Sequence, residues 1–304
     1  MSESNYHRRF GDRKEGRRLR TLPALNMFES YIMINRNDAC NQFAGSVEIS
    51  ETDRWLRAKR QEGYKGLGML HLFIAAYIRV VSQLPGLNRF VSGQRVYARN
   101  EILINMMVKR GITTESEETC AKVVFEPTDT IYDVYRKMND AVEEIRVSDD
   151  SGTEKVAGVL MKIPGIFLKF AVWVLRVMDY FDLIPMSLLR VSPFHGSMIV
   201  TDLGSLGIPP IYHHLYNFGN LPVFLAFGAK RRVVELDRHG QHAQPQLLLL
   251  DEYIKGAAVD DCGLHLADPR DRYLYILFID EGRNVGEGDA LHAPLLYRRL
   301  RRDT

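Results

Sequence analysis

Histidines, hydroxyls and carboxylates are the side chains that move protons and build acyl bonds near neutral pH. His213 and His214 stand side by side, shortly after Pro209-Pro210. Either ring is a candidate general base. Neighbouring residues on a strand point to opposite faces, so the spacing predicts one buried and one exposed histidine. His195 opens an apolar run and His71 lies in an apolar helical stretch, and both read as structural. Glu143-Glu144 and Asp149-Asp150 are adjacent carboxylates on polar stretches and read as solvated. Gly204-Ser205-Leu206-Gly207 lacks the Lys-Ser/Thr and the following helix of a phosphate loop. There is no Gly-x-Ser-x-Gly nucleophile elbow. Cys40, Cys120 and Cys262 are far apart with no Cys-x-x-Cys or Cys/His ligand spacing, so no metal is expected.

The elements that must hold these side chains are legible in outline. Residues 31–49 read as two strands around a polar turn, from the alternation of Gln42, Ala44, Ser46 and Glu48 with Phe43, Gly45, Val47 and Ile49. Thr52-Asp53 is a candidate cap for a charged helix that Gly63 ends. A strongly apolar helix is expected over residues 67–84, stopped by Pro85-Gly86. Residues 102–108 and 119–126 are strand candidates, and Thr128 or Asp129 could cap a helix running to about Arg146. Residues 193–231 read as a strand, a Gly-rich turn and a second strand reaching Lys230. A further strand is expected at 273–278.

Composition narrows the function class. A chain of 304 residues with a net charge of +2 offers no electrostatic case for nucleic acid. Sparse cysteines and an N-terminus without an apolar signal core place the expectation in the cytoplasm. Residues 1–21 form a basic arm, read as solvated or loosely docked, and residues 22–304 form the main domain. Residues 159–190 are the most hydrophobic part, but Lys169, Arg176, Asp179 and Asp182 interrupt them. No uncharged run reaches the ~18–20 residues that span a bilayer. Buried or interface helices are the favoured reading there, ahead of membrane-surface contact.

Two blocks carry a family resemblance. Leu84-Pro85-Gly86-Leu87-Asn88-Arg89-Phe90, a turn, then Gln94-Arg95-Val96-Tyr97 form the first. His195-Gly196-Ser197-Met198-Ile199-Val200-Thr201-Asp202-Leu203-Gly204 through to Lys230 form the second. Together they resemble the catalytic domain of the dihydrolipoyl acyltransferases of 2-oxo acid dehydrogenase complexes, a fold shared with chloramphenicol acetyltransferase. The resemblance implies an α/β sandwich, a mixed sheet covered by helices, assembled as a homotrimer with its active site between subunits. It implies coenzyme A or acyl-CoA as substrate and a small-molecule thiol as acceptor. Neither a lipoyl domain nor an Ala/Pro-rich swinging linker accompanies it. Thr201 takes the position of the hydroxyl that donates to the oxyanion, and Arg13 that of an arginine that pairs with the motif aspartate.

The family's base should sit in an Asp-His-Arg-x-x-Asp-Gly block after a terminal apolar strand. No such block follows 273–278. Starting the block at Asp280 puts Glu281 on the histidine, and ending it at Glu287-Gly288 puts Arg283 there. Arginine cannot serve as a base. Glutamate can, if burial raises its pKa toward about 6–7. Divergence or an altered reading frame after about 240 is the third reading. The sequence therefore leaves two functions open: an acyltransferase whose base is Glu281, His213 or His214, and a catalytically inactive protein that keeps the fold for binding or assembly, with membrane-peripheral contact as a variant.

Overall fold

The computed structural model describes residues 7–33, 35, 39–109, 118–147, 164–233 and 246–256. In chain order these form β1 (Gly16–Arg18), α1 (Ala24–Ile32), β2 (Cys40–Glu48), α2 (Ser50–Gln61), α3 (Met69–Gln83), β3 (Arg89–Ser92) and β4 (Arg95–Arg99). They continue with β5 (Ile102–Lys109), β6 (Glu118–Phe125), α4 (Ile131–Val147), α5 (Gly165–Tyr180), α6 (Met186–Val191), β7 (Met198–Asp202), β8 (Val223–Val233) and β9 (Gln246–Gly256). The architecture is the α/β one expected.

A six-stranded mixed sheet runs β2-β9-β8-β7-β5-β6. β7 lies parallel to both β5 and β8, and the other pairs are antiparallel. A small antiparallel sheet, β1-β4-β3, stands apart from it. Period-2 alternation divides the main sheet into two faces. Met198, Val200, Val223, Leu225 and Phe227 face the large core, where they meet Leu56 of α2, Phe73, Ile74 and Ile78 of α3, and Ile131, Val134 and Met138 of α4. Ile199, Phe224 and Ala226 face the opposite way, toward Leu215 and Leu221.

Local rules explain most helices. In α3, Phe73, Ile74, Ile78 and Val81 are buried at near-helical spacing, and Pro85 stops the helix just past its end. His71 accepts a hydrogen bond on Nδ1 from the Gly68 amide (3.1 Å), which satisfies one orphan donor at the start of α3. α4 starts after Thr130, whose Oγ1 accepts from the Asp133 amide at 3.4 Å while Asp133 accepts from the Thr130 amide and hydroxyl.

Tyr31 and Ile32 end a helix, and among the described residues of 31–49 only Cys40–Glu48 is a strand, because the alternation runs from Gln42 onward and carries no signal for the segment before it. α2 starts at Ser50, ahead of Thr52-Asp53, and Asp53 instead bonds Arg57 and Lys230. The cap of α4 is Thr130, not Thr128 or Asp129. The basic segment is docked from Gly11 to Leu19, while His7, Arg8, Arg9, Phe10 and Arg20 are exposed. β1 pairs with β4, Asp12 and Arg13 are buried, and Lys14 Nζ donates to the carbonyls of Asp182 (2.9 Å) and Ile184 (2.8 Å). α5 carries Phe167, Phe170 and Trp173 on its exposed surface, and Asp179 is its one buried residue.

Candidate functional site

Thr201 sits near the end of β7, in register with Ala226 of β8. It follows Ile199 by two residues and so shares the smaller core's face of the sheet. Its hydroxyl has no hydrogen-bond partner among the described residues, and Ala226 beside it is buried in the smaller core.

His213 and His214 are not on a strand. They lie in the irregular connection between β7 and β8, and their rings stack on each other with centroids 5.0 Å apart. The opposite-faces rule therefore does not apply. His213 also stacks on Phe224, at 4.3 Å and 4° between planes. Phe224 is the register partner of Ile199, so His213 covers the same sheet face as Thr201, two strand positions (about 6.6 Å) along it. His213 Nδ1 lies 2.7 Å from the His214 carbonyl. A carbonyl only accepts, so in the neutral ring Nδ1 carries the proton and Nε2 keeps its lone pair. His214 is the more exposed of the two, with Nδ1 at 3.4 Å from the Leu215 carbonyl.

The connection is held down by glycine. A Cβ on Gly228 would stand 2.3 Å from Pro210 Cδ, and one on Gly204 would stand 2.6 Å from the Gly228 carbonyl oxygen. The register of β8 against β9 slips between Phe227 and Lys230, which frees the Ala229 amide to donate to the Ile208 carbonyl at 2.9 Å. The segment leading to His213 is thus pressed onto the strand end.

A second polar group lies at the β5 side of the same face. Ser192 Oγ is 2.8 Å from His195 Nδ1, and His195 Nε2 is 3.4 Å from Asp179 Oδ1. Arg13 donates to Asp179 twice, Nη2 to Oδ1 at 2.9 Å and Nη1 to the carbonyl at 2.6 Å. Burial alone would push the Asp179 carboxyl up, but His195 and Arg13 outweigh it and hold the carboxyl below its ordinary value. Arg13 thus pairs with Asp179 at the end of α5, which is not the C-terminal motif aspartate that the resemblance implied. Lys122 of β6 donates to the carbonyls of Leu189 (2.8 Å) and Ser192 (2.7 Å), closing the end of α6. Burial pulls its pKa down to about 8. A narrow cleft open to solvent lies here, lined by Leu103 and Leu189, by the His195 ring, and by the charged Glu15, Arg99, Glu101 and Arg190. Ser192 is a residue of this group that composition and periodicity do not single out. Its signal was the Ser-x-x-His spacing before Gly196, which is short and occurs widely by chance.

Glu281, Arg283 and residues 273–278 lie outside the described residues. The last described strand of the main sheet is β9, which pairs with β8 and β2. No group of three or more His, Cys, Asp and Glu that could hold a metal occurs among the described residues. Nor is any described helix long and apolar enough to cross a membrane.

No family model matches the chain, and no curated protein matches it in sequence. Solved structures do. A probable dihydrolipoamide acetyltransferase from Listeria monocytogenes superposes with a TM-score of 0.52 at 13% identity, covering 84% of this chain and 93% of that one. The cubic core of a pyruvate dehydrogenase multienzyme complex superposes with a TM-score of 0.50 at 14% identity, over 84% and 89%. A chloramphenicol acetyltransferase matches at a TM-score of 0.45 and 13% identity, over 79% and 90%. The chain has the fold of those acetyltransferase cores. The resemblance carried by the blocks at 84–97 and 195–230 therefore holds at the level of fold.

Proposed function

We propose that the protein transfers an acyl group between a CoA thioester and a small thiol, with Thr201 as oxyanion donor and His213 as base. The observation that carries this is the shared sheet face, on which an unpartnered hydroxyl lies two strand positions from a histidine whose Nδ1 is committed to a carbonyl. In the reaction, Nε2 takes the thiol proton and the sulfur attacks the thioester carbonyl. The oxyanion of the tetrahedral intermediate accepts from the Thr201 hydroxyl. The carbon–sulfur bond to CoA then breaks, and the CoA thiolate recovers the proton from the imidazolium. A thiol is the fitting acceptor because its pKa near 8.5 leaves a few per cent of thiolate at neutral pH. An alcohol has no such fraction. The active unit is a homotrimer, as the resemblance implies.

The test is CoA release with dihydrolipoamide and with an alcohol acceptor. Turnover on the thiol, none on the alcohol, a loss of about 10²–10³ in Thr201→Ala and of at least ~10² in His213→Gln are expected. Full activity in either variant rejects the assignment. Glu281 and His214 are the next residues to substitute if His213→Gln stays active.

One observation favours the inactive alternative. β9 is an apolar strand that adds to the sheet beside β8, and Lys255-Gly256-Ala257-Ala258-Val259-Asp260 runs from its end. Taken as the terminal block, this puts Gly256 on the histidine and an aspartate four residues later, so the block itself supplies no base. Saturable CoA binding with no transfer to any acceptor would select this reading.

A further inference from the structure

Ser192, His195 and Asp179 form a nucleophile–base–carboxylate chain that the acyl-transfer reading does not use. Roles follow from the atoms. Arg13 holds Asp179 as a carboxylate, which can only accept, so the proton of a neutral His195 lies on Nε2 facing Oδ1 at 3.4 Å. Nδ1 then bears the lone pair and accepts from the Ser192 hydroxyl at 2.8 Å. The order hydroxyl, imidazole, buried carboxylate is that of a serine hydrolase, with the two ring nitrogens exchanged. At 3.4 Å the Nε2–Oδ1 contact is longer than a formed hydrogen bond, a looseness common in sites without substrate.

The surroundings fit a reactive group. Ser192 is half-buried, and the buried His195 ring lines a narrow cleft beside Leu103 and Leu189, where Arg99 and Arg190 face Glu15 and Glu101. Lys122 fixes the carbonyls of Leu189 and Ser192, and Phe194 is clamped by Gly219, where a Cβ would stand 2.2 Å from the Phe194 carbonyl oxygen. Asn220 and Leu221 both donate to that same carbonyl, at 3.0 and 3.2 Å. The Ser-Pro-Phe-His turn is therefore braced from three directions.

We propose that Ser192 is the nucleophile of a second site that hydrolyses small carboxylic esters. Ser192 Oγ attacks the ester carbonyl while its proton passes to His195 Nδ1. The bond to the alcohol oxygen breaks, that oxygen takes the proton, and an acyl-serine remains. Water then attacks the acyl-serine, giving one proton to Nδ1 and from there to Oγ, and the carboxylic acid leaves. Asp179 holds the ring and balances the imidazolium charge.

A fluorophosphonate probe on the full chain tests this, with the modified peptide mapped by mass spectrometry. Covalent modification at Ser192 is expected, with none in Ser192→Ala and undiminished modification in Thr201→Ala. His195→Gln should slow it at least 100-fold. Should that buried substitution prevent folding, Ser192→Cys provides the second reading, and its new thiol should react with iodoacetamide faster than Cys120, whose thiol burial pushes to about 11. An unmodified Ser192 in folded wild-type protein, or a thiol in the Ser192→Cys variant that reacts no faster than Cys120, overturns the proposal. Because Thr201→Ala is silent here and decisive for CoA release, failure of one site is distinguishable from failure of the other.

Discussion

His71 shows how one buried side chain sets an acid limit. Burial pulls its pKa down to about 4, and the Gly68 amide bonded to Nδ1 cannot stay bonded if that nitrogen is protonated. Between about pH 4 and 6.5 the unfolded chain binds a proton that the folded chain refuses, so stability rises with pH across this window and falls on acidification. The displacement corresponds to about 3 kcal/mol lost by pH 4. Urea midpoints at pH 7 and pH 5 should therefore differ in the wild type and converge in His71→Gln, which keeps an acceptor for Gly68 but cannot titrate. An unchanged pH slope in that variant would assign the acid sensitivity elsewhere. Thr201 presents the contrasting case. Its side chain satisfies nothing in the fold, so Thr201→Ala should leave the thermal midpoint within about 2 °C while removing acyl transfer.

At the scale of elements, the β7–β8 connection is held by close backbone approach. Gly228→Ala would drive a methyl into Pro209-Pro210 and should cost about 1–3 kcal/mol as overpacking. The same shift lifts the segment that stacks His213 on Phe224, so CoA release should fall even at temperatures where the variant is fully folded. Circular dichroism melting together with the activity assay separates the two effects. The large core responds differently. Ile74 in α3 is fully buried against the sheet, and Ile74→Ala should cost about 2–5 kcal/mol by lost burial plus a cavity, with the surviving folded fraction keeping its specific activity. The distinction is physical: the helices of the large core lie on the face away from Thr201 and His213.

At the scale of the whole molecule, two helices and the β7–β8 connection (Leu206, Ile208, Ile211, Tyr212 and Tyr216) expose apolar side chains. α1 exposes Leu25, Phe28 and Ile32, and α5 exposes Ile166, Phe167, Phe170 and Trp173. Patches of this kind mark contact surfaces. The homotrimer proposed above predicts a sedimentation mass near three times 34.9 kDa at micromolar concentration without detergent. Trp173→Glu should shift that mass toward the monomer. A wild-type monomer under those conditions would remove the trimer reading, and vesicle-dependent sedimentation would favour the membrane-peripheral one.

The sequence by itself determined the elements whose signals are local. α3 was legible from apolar spacing and Pro85, β5 and β6 from their β-rich runs, and β7 and β8 from the Gly-Ser-x-x-x-Thr-x-Leu-Gly block, because periodicity, helix stops and a fold's own motif are all written within a few residues. The fold class followed from these. α1 was missed because the strand reading was carried back from the alternating Gln42–Ile49 over Tyr31 and Ile32, the end of a helix whose Leu25, Phe28 and Ile32 recur at helical spacing. Only the tertiary structure decided which side chains share a site. It brought His213 onto the Thr201 face by stacking on Phe224, 11 residues down the chain and part of another element. It joined Arg13, Asp179, Ser192 and His195 from β1's approach, the end of α5 and the turn before β7, a grouping set by how the N-terminal segment packs across the domain. Contacts of that sequence separation leave no periodicity in the chain, since each residue type is fixed by a partner far away rather than by its neighbours.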